Sequence, residues 1–95
     1  MAIRSFRSRL TEVVFQGRCP KGFPADLFAV SRRKLGLLDA AVSLEVLRVP
    51  PGNRLEALRG DRRDQHAIRI NDQFRICFIW TDAGPEQVEI VDYHD

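Results

Sequence analysis

No apolar run in this chain approaches the ~18 residues needed to cross a bilayer. The opening Met1-Ala2-Ile3-Arg4-Ser5-Phe6-Arg7 lacks the long apolar core of a secretory signal, so a cytoplasmic protein without membrane contact is the expectation. Cysteine and histidine are scarce. Cys19 and Cys77 stand far apart, His66 and His94 are the two histidines, and no CxxC or Cys/His pair has metal-ligand spacing. We therefore expect no metal site and no cofactor, and Cys77, inside an apolar run, reads as a small core residue. Low-complexity tracts and internal repeats are also missing, which removes fibrous and repeat architectures.

What is present is an ordinary globular composition, with 44% hydrophobic and 29% charged residues in 95. That length supports one modest core, so residues 1–95 are expected to form a single domain. The net charge of +2 conceals a gradient. Residues 1–34 hold eight Lys/Arg against Glu12 and Asp26, whereas residues 81–95 hold five acids and no Lys or Arg. Such asymmetry suits a protein that meets a polyanion with one surface. A solvated basic helix face would produce the same count.

Along the chain, Ile3 to Phe6 has the character of a short strand. Ser8 to Phe15 reads as a helix with Leu10, Val13 and Val14 on one side, ended by Gly17. After a turn-rich loop, Pro24 can open a second helix, whose Leu27, Phe28, Leu35 and Leu38 form one stripe while Arg32 and Arg33 point elsewhere. Asp39 is a candidate cap for a third, shorter helix through Ala40, Ala41, Leu44 and Leu47. Pro50-Pro51-Gly52-Asn53 stops any helix, and the chain turns extended from Arg54 to Leu58. Gly60 then allows a sharp turn behind Arg59.

Three strands are predicted next. His66 to Ile70 alternates, Asn71-Asp72 can take the positive φ of a tight hairpin, and Phe74 to Trp80 is apolar on nearly both faces. Thr81 to Pro85 turns, and Val88 to Val91 returns. The result is an α+β fold, with N-terminal helices packed on one face of a small, mainly antiparallel sheet. Ile68, Ile70, Phe74, Ile76 and Phe78 share the covered face. Arg69 and Arg75 share the open one.

Chemistry is therefore to be sought on the open face and its ends. Arg59, Arg62, Arg63, Arg69 and Arg75 supply planar cations suited to phosphate oxygens. Arg75 interrupts an apolar strand, so it either faces a cleft or pairs with Asp61 or Asp92. The terminal Asp92-Tyr93-His94 offers a carboxylate, a stacking phenol and an imidazole that titrates near neutrality. An exposed, idle histidine is the alternative for His94.

Together, Leu58-Arg59-Gly60-Asp61-Arg62, Ile68-Arg69-Ile70-Asn71, Phe74-Arg75-Ile76 and Asp92-Tyr93-His94 resemble the HigB group of the RelE/ParE toxin superfamily, also described as plasmid-maintenance killer proteins. The resemblance extends from Ile3-Arg4-Ser5-Phe6 through the Pro50-Pro51-Gly52-Asn53 break to His94. It implies the toxin of a type II toxin-antitoxin pair that cleaves translated messenger RNA on the ribosome, by attack of a ribose 2'-hydroxyl on the adjacent phosphate without a metal. By position, it casts His94 as general acid or base, Asp92 and Tyr93 as catalytic or orienting residues, and Arg75 as a phosphate stabiliser, with Arg62, Arg63 and Arg69 as RNA-binding. Arg59 stands where the family often has lysine, and an arginine there is a fixed charge rather than a proton carrier. Glu56 and Gln65-His66 also depart from the pattern. The implied partners are the ribosome with its message and an antitoxin, commonly a helix-turn-helix DNA-binding protein, through which the pair contacts operator DNA. Alternatives are a gyrase inhibitor of the ParE branch and a binding module without activity.

Overall fold

The first helix is set by its cap. Ser8, in extended backbone, accepts a hydrogen bond from the Thr11 N–H at 3.2 Å, and α1 runs Arg9–Phe15. In this computed structural model the described residues are 1–93; His94 and Asp95 lie outside them. The longer helix, α2, runs Ala25–Ala40, with Pro24 immediately before it. Short 3-10 helices follow at Leu44–Arg48, Pro51–Asn53 and Gly60–Arg62. The strands are β1 Glu56–Ala57, β2 His66–Arg69, β3 Phe74–Thr81 and β4 Gly84–Asp92, in the order β1-β2-β3-β4 with antiparallel neighbours.

The α+β architecture is thus the expected one, with helices on one face. Leu27, Leu35 and Leu38 of α2 and Val14 of α1 are buried with Ile68, Ile76, Phe78 and Val88 of the sheet. Phe78 is fully buried in the middle of β3. Removing a side chain of this kind costs about 3–5 kcal/mol, through lost transfer energy and the cavity left behind.

Several local expectations are corrected. On α1 it is Thr11, not Leu10, that joins Val14 inside, and Leu10 is 42% exposed. The reason is a bond that periodicity does not register: the Thr11 hydroxyl accepts the Ile90 N–H at 3.0 Å, fastening α1 to β4. Asp39 caps nothing. It lies inside α2, and its Oδ1 accepts the Ile3 N–H at 2.9 Å; the piece that follows is a 3-10 helix, Leu44–Arg48. The extended stretch before the Gly60 turn forms a strand only at Glu56–Ala57.

The first residues form a single parallel bridge, Phe6 with Val88, rather than a strand. They nevertheless run beside β4, with Arg4 N–H donating to the Pro85 carbonyl at 2.7 Å and Val88 N–H to that of Ser5 at 3.1 Å. Gly84 permits this closeness, since a Cβ there would strike the Ala2 carbonyl. β4 accordingly begins at Gly84, four residues before the predicted start, and bulges where Gln87 takes φ 54° against β3.

The β2–β3 turn is also made differently. Positive φ among the described non-glycine residues falls at Arg54 and Gln87, not at Asn71 or Asp72. The Asn71 side chain closes the turn instead, its Oδ1 accepting the N–H groups of Gln73 at 2.9 Å and Phe74 at 2.8 Å.

Behind β2, Asn53 is buried rather than exposed in a turn. Its amide donates to the Leu47 and Val49 carbonyls at 3.1 and 3.3 Å, and its Oδ1 accepts from Lys34, a buried lysine within the α2 stripe. Burial, then the charges of Arg33 and Arg69, hold the Lys34 pKa below its ordinary 10.5. Between that lowered value and 10.5 the unfolded chain binds more protons, so this group makes stability rise with pH in that window. Urea unfolding of wild type and Lys34→Met should therefore diverge in favour of wild type as pH climbs toward 10.5; a difference that stays flat contradicts this.

Candidate active site

Strand alternation builds the uncovered face. On β3, Arg75 and Cys77 point away from the helices, between the core residues Phe74, Ile76 and Phe78. Pairing sets Arg69 and Ala67 opposite them on β2, and Val91 and Glu89 opposite them on β4. Leu58 joins from beyond β1, its N–H donating to the Gln65 carbonyl at 2.9 Å. Leu58, Ala67 and Cys77 are buried, and Val91 and Tyr93 pack on them, so the face has an apolar floor.

Charges ring that floor. Burial pushes the Cys77 thiol up to about 11, from 9.0, while Arg62 and Arg75 pull it down and Glu89 and Glu56 push it further up. Glu89 stands directly opposite Cys77 on β4 and Arg62 reaches it, so this pair lies at the centre of the sheet.

Arg75 is held by main chain. Its Nη1 donates to the Asn71 carbonyl at 2.6 Å and the Phe74 carbonyl at 3.1 Å, and its guanidinium carbon lies 5.7 Å from the centre of the Tyr93 ring. Asn71 is itself fixed by the turn it closes, so the cation is pre-positioned.

The remaining candidates are distributed unevenly. Arg62 stands over the floor, its Nη1 donating to Gln65 Oε1 at 3.0 Å and to Glu89 Oε1 at 3.4 Å. Arg59 and Arg63 are exposed on the same short turn, which Gly60 makes with φ 63°. Arg69 faces Arg75 directly across the strands, an opposition that would repel, and instead ion-pairs with Asp72 in its own turn. Asp92 pairs with Phe74, which puts it on the strand side opposite to Tyr93; its Oδ2 accepts from Gln73 Nε2 at 3.0 Å. The structure thus gathers Arg62, Arg75 and Tyr93 and does not bring Asp92 onto their face. His94 follows directly after Tyr93 and lies outside the described residues.

Glu89 is a contributor that the sequence reading missed, and Gln65 entered it only as a departure from the family pattern. Alternation in Val88-Glu89-Ile90-Val91 is the signal that places Glu89 on the open face, since Val88 and Ile90 pack into the core. Gln65 is only 5% exposed, and no periodic signal marks it. His66 also points inward, its ring 6.3 Å from that of Phe78, and takes no part in the face.

A small antiparallel sheet, covered by helices on one side and lined on the other with anchored arginines and a terminal tyrosine, defines a RelE-like toxin fold. The chain belongs to the HigB-like toxin family, the RelE-like toxins of type II toxin-antitoxin systems named HigB, whose model matches residues 4–94. It is 50% identical over 51 residues to Toxin HigB-1 of Vibrio cholerae serotype O1 (strain ATCC 39315 / El Tor Inaba N16961), covering 54% of each chain. It is also 36% identical over 55 residues to an uncharacterized protein of Haemophilus influenzae (strain ATCC 51907 / DSM 11121 / KW20 / Rd), covering 58% of this chain and 54% of that one. The chain thus spans about half the length of the curated relatives it matches. Among the described residues, no helix is long and apolar enough to cross a membrane.

The two cysteines should behave oppositely. Cys19 is exposed, whereas Cys77 is buried with its pKa raised to about 11 and so stays a thiol at neutral pH. One equivalent of a maleimide is expected to react quickly with the folded protein, at Cys19, and the second only in denaturant. Rapid labelling of both contradicts the closed floor.

Proposed function

We propose that the open face is the RNA-cleaving surface of this toxin and that it acts on messenger RNA presented by the ribosome. The observation that carries this reading is the Arg75–Tyr93 unit, a main-chain-anchored guanidinium 5.7 Å from an aromatic ring, in a chain matched to the HigB-like family over residues 4–94. A cation and a stacking ring side by side fit a phosphate and its neighbouring base.

In the proposed reaction the ribose 2'-oxygen bonds to phosphorus as the bond from phosphorus to the 5'-oxygen breaks, leaving a cyclic phosphate and a 5'-hydroxyl. One group takes the 2'-proton and another protonates the departing oxygen. His94 serves as one of these. Arg75 and Arg59 stabilise the phosphate as charge builds on it, Tyr93 stacks and donates, and Asp92 has an orienting role from the adjacent strand position. Arg62, Arg63 and Arg69 bind flanking RNA, Arg69 after exchanging Asp72 for a phosphate. The nucleophile belongs to the RNA, so this chemistry calls on no metal-bound water.

As the toxin of a type II pair, the protein works in the cytoplasm and is restrained by an antitoxin, a helix-turn-helix DNA-binding protein through which the complex reaches operator DNA. The test is inducible expression with mapping of new RNA 5' ends, with and without active translation. Wild type should arrest growth and cut within translated messages. His94→Ala and Arg75→Ala should each lower cutting about 100-fold or more, the range lost with an acid-base or charge-stabilising group. Equal cutting by His94→Ala removes its catalytic role, and cutting without ribosomes removes the ribosome from the scheme. Arrest without new ends would point to a gyrase inhibitor of the ParE branch, and no arrest to a binding module without activity.

A further inference from the structure

An acid on a face that meets RNA requires a reason, because every carboxylate near the backbone repels phosphate. Glu89 lies there, with its side chain 22% exposed, against Arg62 at 34%. A partly exposed pair at 3.4 Å adds little to stability, so its value must be sought in what it does to the arginine.

The geometry is specific. Arg62 Nη1 donates to both Gln65 Oε1 at 3.0 Å and Glu89 Oε1 at 3.4 Å. Gln65 is buried and locked by its own main chain, its N–H donating to the Arg62 carbonyl at 2.8 Å and its carbonyl accepting from Leu58 at 2.9 Å. Because a guanidinium is a rigid plane, fixing one nitrogen fixes the other two. Nε and Nη2, which make no hydrogen bond among the described residues, form the two-donor edge that matches a pair of phosphate oxygens. Arg75 is held in the same way, its Nη1 donating to the Asn71 and Phe74 carbonyls. Arg62 reaches Glu89, the residue directly opposite Cys77, and Arg75 stands two positions before Cys77 on the same side of β3.

We infer that Glu89 and Gln65 are positioning residues, which clamp Arg62 by one nitrogen so that its opposite edge is presented as a second phosphodiester-binding fork beside Arg75. This rests on the RNA-cleaving reading above. It makes a prediction of opposite sign to plain electrostatics, in which removing the Glu89 charge from a cationic face strengthens RNA binding. With the clamp, truncation frees Arg62 to scatter over its rotamers, and binding weakens.

The experiment uses purified full-length protein and ribosomes programmed with a defined message, reading the maximal cleavage rate and the half-saturating concentration separately. Glu89→Ala should raise the half-saturating concentration about three- to tenfold, the effect of losing one orienting hydrogen bond, with a smaller change in maximal rate. Glu89→Gln, which keeps the acceptor and drops the charge, should restore most of the loss. Arg62→Ala with Glu89→Ala should be no worse than Arg62→Ala alone. Glu89→Val serves as a second truncation suited to a strand, and urea midpoints establish that each variant is folded. Unchanged or tighter binding by both truncations, or additive losses in the double variant, overturns the clamp. Wild type that leaves programmed ribosomes uncut refutes the RNA reading itself, and this inference with it.

Discussion

One antiparallel register decides what every strand residue of this protein can do. With Arg69 opposite Arg75 and Arg75 opposite Val91, the sheet turns Ile68, Ile76, Phe78 and Ile90 toward the helices and Arg75, Cys77 and Glu89 away from them. A slip of one residue would exchange the two sets, burying the arginines and exposing the core. The register is therefore held by the burial of Phe78 and its neighbours. The placement of the cations follows from a hydrophobic requirement on the other side of the same strands.

That requirement leaves a problem on the open face, where two arginines oppose each other across β2 and β3. The structure resolves it by giving each cation its own neutral or anionic anchor. Arg69 takes Asp72, Arg75 takes the carbonyls of Asn71 and Phe74, and Arg62 takes Gln65 and Glu89. The face is thus a set of charges fixed at different points around an apolar floor rather than a diffuse basic patch. Fixed guanidinium planes lose less entropy when a phosphate arrives than free surface side chains would.

The edges of the sheet depend on contacts remote in sequence. β4 is covered by the first residues of the chain and by the Thr11 hydroxyl, which accepts the Ile90 N–H. At the other side, Asn53 joins the Leu44–Arg48 helix to Lys34 of α2, just ahead of β1. Both devices bury polar groups that are satisfied only in the assembled fold.

Much of this was legible in the residues. The periodic stripe of α2, the alternation in His66 to Ile70 and the apolar run of β3 determine helices on one face of an antiparallel sheet, because burial rewards those spacings wherever the chain folds. The shared side of Arg69 and Arg75 follows from the same alternation, and the motifs from Leu58 to His94 carried the family. What the residues could not specify is which polar group meets which. Thr11, Asn53, Gln65 and Glu89 look like surface or turn residues until the packing brings distant partners to them, and Asp39 looks like a cap until Ile3 arrives. Hydrophobic pattern is local and repeats along the chain, whereas a hydrogen bond needs one particular partner at about 3 Å. Only the tertiary structure supplies that partner, and so only it decided that Arg62 is held at one nitrogen by an amide and a carboxylate.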